Sequence, residues 1–276
     1  MKINSAFFLL LFSGFFSIAQ NNTPPYNLTS KYFRRELTDY KTVFVDDAEK
    51  DIYYLKYVSK KSKRFLFETL YYSENKAVIA VSGYGKANAY NLYVFWIKDN
   101  GWKIKTIKTL EFSGMMVEVD QSKGMDDNSI SKEYDKILKN RKQNSPSVGT
   151  FEEYLYETKH ARLMFASDST LADYFAKNIN RFNTLLNKLK GNAKSKDEIW
   201  RFDSNSGYKN DLKNILLSSV SSRDNSKVIN FVIGDLSNGS VGYFYCENKD
   251  DVPEMTEERY IMIRKLGNGW YLYKTL

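Results

Sequence analysis

Histidine and cysteine are nearly absent from this chain of 276 residues, which has one of each, His160 and Cys246. A single cysteine excludes an internal disulfide, so packing of the core must stabilise the fold. A single histidine excludes a metal site built from several histidines. The chain also has no Gly-x-Ser-x-Gly turn, no His-Glu-x-x-His pair and no phosphate-binding glycine loop. The sequence therefore predicts no catalytic residue, no metal ligand and no cofactor.

The few residues that could carry chemistry have simpler interpretations. His160 could act as a general base, but no motif supplies a nucleophile or an orienting carboxylate. Cys246 follows Gly-Tyr-Phe-Tyr in a predicted strand, which is typical of a small buried core side chain. Two Ser-x-x-Lys matches begin at Ser73 and Ser206, but both fall in predicted turns rather than on the helix that this chemistry requires.

Only one long apolar run occurs, and it lies near the start of the chain. Lys2 precedes an uncharged run over Ala6–Phe16, and the small residues Ser17 and Ala19 follow it. This order is typical of a secretory signal peptide, and the run is too short to span a membrane stably. We expect cleavage near Ala19 and export to the periplasm or the medium, with no membrane span in the mature chain.

Basic residues exceed acidic ones, and removing Lys2 leaves a net charge of +7 (40 − 33). A protein or an anionic glycan or lipid headgroup could bind a basic, aromatic surface, whereas export argues against nucleic acid. An alternative is a solvated strand face, since Lys103 and Lys105 alternate with Trp102 and Ile104. The predicted interaction surface consists of Lys60, Lys61, Lys63, Arg64, Lys103, Lys105, Tyr271 and Tyr273.

The last seventeen residues, Tyr260–Leu276, place two apolar runs around Asn268-Gly269, which predicts a β-hairpin with a tight turn. A similar pattern surrounds Asn100-Gly101, so the chain could contain two copies of one sheet-building unit. Predicted helices cover about 30–37, 132–139, 151–157, 171–189 and 212–217. Predicted strands cover 41–46, 51–58, 64–72, 76–82, 92–98, 101–110, 161–165, 228–233, 241–246, 258–265 and 270–275.

The clearest helix, Leu171–Leu189, repeats apolar residues at three- and four-residue steps and ends at Gly191. Its apolar stripe should cover the strands that follow it. We therefore predict an α+β fold with two sheet-rich units, an N-terminal antiparallel meander and a C-terminal antiparallel sheet packed against this helix. The predicted divisions are a signal peptide (1–19), a leader (20–27), a β-rich domain (28–122), a helix-containing linker (123–149) and an α+β domain (150–276).

An antiparallel sheet crossed by a long helix and ending in a strand that begins Gly269-Trp270 resembles the C-terminal end of NTF2-like cone folds. The resemblance rests on the last hairpin, and it implies a pocket between helix and sheet but no particular reaction. Three functions remain open at this point. They are an exported non-catalytic binding protein, which we favour, a pocket-bearing NTF2-like ligand-binding domain, and an immunity or inhibitor protein acting outside the cytoplasm.

Overall fold

The computed structural model describes residues 24–45, 64–84, 89–110, 126–140, 149–192, 200–203, 205–222, 227–236 and 239–276. The predicted signal peptide (1–19) lies outside these ranges. Two antiparallel sheets and several helices confirm the predicted α+β class. The chain forms two compact units. The first holds residues up to 86 together with 90–109, and the second holds 87–89 and 110–276.

The first unit is a four-stranded sheet in the order β1-β2-β3-β4, as expected for a meander. The strands are β1 (Arg64–Tyr72), β2 (Lys76–Tyr84), β3 (Ala89–Lys98) and β4 (Trp102–Lys108). A helix, α1 (Pro24–Phe33), contributes Phe33 to the core of this unit. The buried residues of that core are Phe33, Val43, Phe44, Ala77, Ile79, Val81, Leu92, Val94, Trp96 and Ile104.

Helix α1 begins earlier than predicted, and Pro24 and Pro25 lie in its first turn. Proline is tolerated there, since the first amide groups of a helix have no partner within it. The predicted leader (20–27) is therefore wrong for Pro24–Asn27, and the predicted helix at 30–37 is shifted. The Trp96 indole nitrogen donates to the Thr29 hydroxyl at 2.9 Å, and this buried bond fixes the helix on the sheet.

The predicted strand at 41–46 is also wrong. Residues Tyr40–Val43 form a short 3-10 helix, and the Thr42 hydroxyl donates to the Asp39 carbonyl at its start. Phe44 then forms an isolated parallel bridge to Ile104 of β4, and the Val45 amide donates to the Ile104 carbonyl at 3.0 Å. A threonine hydroxyl that bonds a nearby carbonyl offers the backbone an alternative to a ladder. The predicted strand at 51–58 lies outside the described residues.

The second unit contains a six-stranded antiparallel sheet in the order β5-β6-β7-β8-β10-β9. Its strands are β5 (Trp200–Asp203), β6 (Ser219–Ser222), β7 (Val228–Leu236), β8 (Gly239–Cys246), β9 (Tyr260–Gly267) and β10 (Trp270–Thr275). Its helices are α2 (Asp127–Asn140), α3 (Phe151–Met164), α4 (Asp168–Asn192) and α5 (Lys209–Asn214). Helix α2 thus belongs to this unit, where the sequence predicted a linker.

Helix α3 confirms the helical prediction at 151–157 and continues to Met164, so the predicted strand at 161–165 is wrong. Thr150 and Glu153 form a capping box, in which each side chain accepts from the backbone amide of the other. This strong start favours a helix that continues through the later residues. Arg162 within it pairs with Glu133 of α2 at 2.8 Å, and this pair lies between the two helices.

The apolar stripe of α4 lies on the C-terminal sheet, as predicted. The Phe175 ring lies 5.2 Å from the rings of both Tyr243 and Trp270, measured between centroids. Phe182 lies 5.1 Å from Tyr243 and 6.1 Å from Phe231. The Trp270 indole nitrogen also donates to the Asn183 side chain at 3.0 Å. These aromatic contacts occupy the interface between helix and sheet.

A buried group of charges lies at the start of the same helix. The Asp168 carboxylate accepts from the Lys274 ammonium of β10 at 2.7 Å. A guanidinium nitrogen of Arg264 on β9 lies 3.7 Å from the other carboxylate oxygen. Because isolated buried charges are costly, the pairing allows this helix end to be buried.

The final hairpin forms as predicted, and its turn adopts positive φ at Asn268 (50°) and Gly269 (80°). Such angles are those of the tight turns that match strand twist. Whether the hairpin at Asn100-Gly101 arose from the same ancestral unit stays a prediction. Of the helices in the described ranges, none is both long and apolar enough to cross a membrane.

Candidate functional site

The predicted basic surface is not assembled in one place. Arg64 begins β1 and Lys103 and Lys105 lie on β4, so they occupy opposite edges of the first sheet. The Lys103 ammonium donates to the Thr42 carbonyl. The remaining predicted lysines, Lys60, Lys61 and Lys63, lie outside the described residues.

Tyr271 and Tyr273 were predicted to lie on an exposed face, and that exposure is wrong. They belong to the second unit and are only 7% and 3% exposed. The Tyr271 ring stacks on Phe244 at 4.8 Å, and Tyr273 packs edge-on against Tyr260 at 6.0 Å. Alternation along β10 separates its two faces but does not indicate that aromatic rings cover the second one.

The side chain of His160, the single histidine, contacts a neighbouring ring and a main-chain carbonyl. Its ring stacks on Tyr156, one turn earlier on α3, at 5.6 Å. Its Nε2 bonds the Ile233 carbonyl, which can only accept, so this nitrogen carries the proton. Burial lowers the pKa of the imidazole, although the carbonyl bond opposes the shift. The histidine is therefore neutral near pH 7, and its Nε2 proton is committed to the main chain.

Burial also keeps several tyrosine side chains of the second unit in their protonated form. Burial raises the pKa of Tyr174 on α4 to about 12, against a small opposing effect of the Arg181 charge. Burial likewise raises the pKa of Tyr156 and, most strongly, that of Tyr243, whose hydroxyl donates to the Leu171 carbonyl at 2.8 Å. These hydroxyls remain protonated donors at physiological pH.

Cys246 is buried, as predicted. Its thiol donates to the Asn248 carbonyl at 3.1 Å. Burial is the largest effect that raises the thiol pKa, and the negative charge of Asp251 adds to it. A thiol that stays protonated is a poor nucleophile, because the thiolate is the reactive form.

The two Ser-x-x-Lys matches lie in turns, as predicted. Ser73 closes the turn between β1 and β2, where its hydroxyl accepts from the Lys76 amide at 3.1 Å. The Ser206 hydroxyl donates to the Asp203 carbonyl at 2.6 Å. Both hydroxyls thus fix local backbone structure. In the described part of the chain, no three His, Cys, Asp or Glu side chains are grouped to hold a metal ion.

Two neighbouring turns of the first unit bring aromatic side chains together. One turn joins β1 to β2, and the other joins β3 to β4 through Asn100 (φ 47°) and Gly101 (φ 118°). The Lys98 amide donates to the Asn75 carbonyl at 3.0 Å, which holds the turns side by side. As a result, the Tyr72 ring lies 5.8 Å from the Trp102 ring, with 33° between their planes.

We call Tyr72 and Trp102 the tip pair. Tyr72 is 43% exposed, whereas Trp102 is half-buried because its inner side packs on the core of the first unit. Neither the Tyr72 hydroxyl nor the Trp102 indole nitrogen has a hydrogen-bond partner among the described residues. The two turns that carry the pair also carry exposed polar residues, namely Glu74, Asn75, Lys98, Asp99 and Asn100. The pair therefore presents apolar ring surface together with two donors that no described residue uses.

Sequence reasoning missed the tip pair as a site. The sequence shows Trp102 only as an aromatic residue among lysines, and it predicts a strand that ends at Tyr72. The available signal was their position, since each ring directly adjoins a predicted turn. Aromatic residues at strand ends are exposed more readily than those at strand centres, but the sequence does not show that two separate turns meet.

Comparison of the chain with protein-family models, curated proteins and solved structures found no match. The resemblance to NTF2-like folds therefore has no support beyond the last hairpin. The aromatic contacts between α4 and the sheet also occupy the place where that resemblance implies a pocket.

Proposed function

We propose that this protein is an exported, non-catalytic binding protein, and that the tip pair is part of its binding surface. The observation that carries the proposal is an exposed aromatic pair fixed by a main-chain bond between two turns. Aromatic residues with a polar end are the side chains most enriched at binding sites. A site built on strand ends is also held more rigidly than one on a long loop.

The environment of the Cys246 thiol supports a function without thiol chemistry. Burial raises the pKa of this thiol, whereas a cysteine nucleophile needs a stabilised thiolate. The Nε2–H of His160 donates to the main chain, and the sequence motifs supply no nucleophile for this histidine to activate. Export is proposed from the basic, apolar and small-residue order of residues 1–19.

The binding proposal is tested by comparing how much ligand is captured by the unchanged chain and by two variants. Each variant replaces one side chain, and the two replaced side chains are equally exposed. Tyr72 and Leu138 are both 43% exposed, but Leu138 lies on α2 in the second unit. The full mature chain should retain a ligand from envelope and secreted fractions, and Tyr72→Ser should lose it. Leu138→Ser should retain it. Equal capture by all three proteins would refute a role for the tip pair.

Export is tested separately by expressing the complete chain and measuring the mass of the protein released from the cytoplasm. We expect a mature chain that begins near Gln20. A released or retained protein that still carries residues 1–19 would refute the proposed cleavage. The immunity or inhibitor alternative would be favoured if the captured ligand were an enzyme or toxin whose activity this chain blocks.

A further inference from the structure

We propose that the tip pair binds a neutral saccharide, so that a sugar ring lies against the exposed surface of Tyr72 and Trp102. This inference rests on the proposed binding function and narrows its ligand from the classes that the sequence left open. Three properties of the site support it, namely the local charge, the donors and acceptors, and the size of the exposed aromatic surface.

The two turns that carry the tip pair hold charges of both signs. Glu74 and Asp99 are exposed carboxylates and Lys98 is an exposed ammonium group, whereas the Lys76 ammonium lies 6.0 Å from the centre of the Tyr71 ring. The next cation along the chain, Lys103, is bound to the Thr42 carbonyl. A sulfated glycan, a phosphate headgroup or a nucleic acid would place negative charge beside the two carboxylates. A neutral ligand avoids this repulsion.

The polar groups around the rings also match hydroxyl groups. A hydroxyl both donates and accepts, so it can use the carboxylates of Glu74 and Asp99, the Lys98 ammonium and the side-chain amides of the two turns. The Tyr72 hydroxyl and the Trp102 indole nitrogen add a donor each, and neither is used by a described residue. The C–H groups on the face of a sugar ring can pack against the aromatic surface, as apolar groups do.

The exposed aromatic surface is small. An aromatic side chain presents about 150–250 Å² when fully accessible, so a ring that is 43% exposed offers on the order of 100 Å². A stable protein interface buries roughly 800 Å² on each partner. The tip pair alone is therefore too small to anchor a protein, but it can cover one or two sugar rings. Ligands of this size bind weakly, so we expect a Kd on the order of 1 mM for a single sugar ring.

The test is affinity electrophoresis of the full mature chain in native gels that contain one polysaccharide each. The neutral panel is α-glucan, β-glucan, β-mannan, xylan and galactan, and the charged probes are a sulfated galactan and a single-stranded oligonucleotide. We expect retardation by at least one neutral polymer and little change when the salt concentration is raised. Salt insensitivity follows because the ligand has no charge to screen.

Variants then assign the binding to the tip pair. Tyr72→Ser and Trp102→Leu should each weaken the interaction at least tenfold, whereas Leu138→Ser should leave it unchanged. Trp102 also contacts the core, so its variant is included only if its circular dichroism matches that of the unchanged chain. Tyr72→Ser removes an exposed ring and keeps the test decisive if the tryptophan variant does not fold.

Several results would overturn the inference. They are retardation only by the charged probes and lost at high salt, no retardation by any neutral polymer, or neutral binding that Tyr72→Ser leaves intact. If Tyr72→Ser abolishes capture of a protein from the secreted fraction while no polysaccharide binds, the saccharide is wrong and the binding function stands. If Tyr72→Ser changes neither capture nor retardation, both proposals fail.

Discussion

Replacing Lys274 by methionine should lower the free energy of unfolding of the second unit by about 3–5 kcal/mol, the usual cost of breaking a buried ion pair. The Lys274 ammonium lies 2.7 Å from the Asp168 carboxylate, and the two side chains are only 7% and 1% exposed. Methionine keeps much of the apolar stem but removes the charge. The nearest cation to the carboxylate would then be the guanidinium of Arg264, at 3.7 Å.

The control is the same substitution in an exposed ion pair between α4 and α5. Lys188 lies 2.8 Å from Asp211, but these side chains are 49% and 33% exposed. Water solvates and screens such a pair, so Lys188→Met should cost about 0–1 kcal/mol. Similar distances and identical chemistry leave burial as the main difference between the two variants.

Urea unfolding followed by circular dichroism provides the measurement. Labelling of Cys246, which is buried in the second unit, reports when that unit opens. The slope of the transition should stay unchanged, so that the midpoint shift reflects stability alone. If Lys274→Met costs no more than Lys188→Met, the argument from buried charge is refuted.

Three further predictions concern single side chains. In an alkaline titration followed by ultraviolet absorbance, Tyr174 should ionise near pH 12. The free energy of unfolding should therefore fall as pH rises from 10 towards 12, because the unfolded chain loses this proton first. Tyr174→Phe should flatten that fall, and an unchanged profile would contradict the assignment. The Cys246 thiol should react with a disulfide reagent only after unfolding, and rapid labelling of the native protein would show that it is accessible. Thr150→Ala should lower the free energy of unfolding of the second unit by about 1 kcal/mol, as measured by urea unfolding, whereas Thr150→Ser should preserve the cap. Equal losses of stability in both variants would argue against the capping box.

Local signals in the sequence predicted much of the fold. The apolar stripe of Leu171–Leu189 and the Asn268-Gly269 turn each determine their structure through neighbouring residues, and both formed as expected. The first part of helix α3 was predicted, but its second half was missed because the apolar residues at 161–165 fit a strand as well as a helix. The short strands β5 and β6 were missed because four residues carry too little pattern to identify a strand.

The candidate site was harder to predict, because it depends on contacts between distant parts of the chain. Tyr72 and Trp102 meet only because two turns are joined by one main-chain bond from Lys98 to Asn75. In the same way, the burial of Tyr271 depends on Phe244, which is on a neighbouring strand. Periodicity identifies the two faces of a strand, but it does not show which face the rest of the protein covers.

The link between Asp168 and Lys274 joins residues that are 106 positions apart. A ribosome adds about 5–20 residues per second, so roughly 5–20 s pass between the synthesis of the acidic residue and that of its partner. Until then, docking the helix would leave a carboxylate in the interior without its nearest cation. The second unit should therefore close only after translation has passed residue 274. During this delay the chain is still unfolded, so it can be threaded through a translocation channel. This would suit a chain that is proposed to leave the cytoplasm.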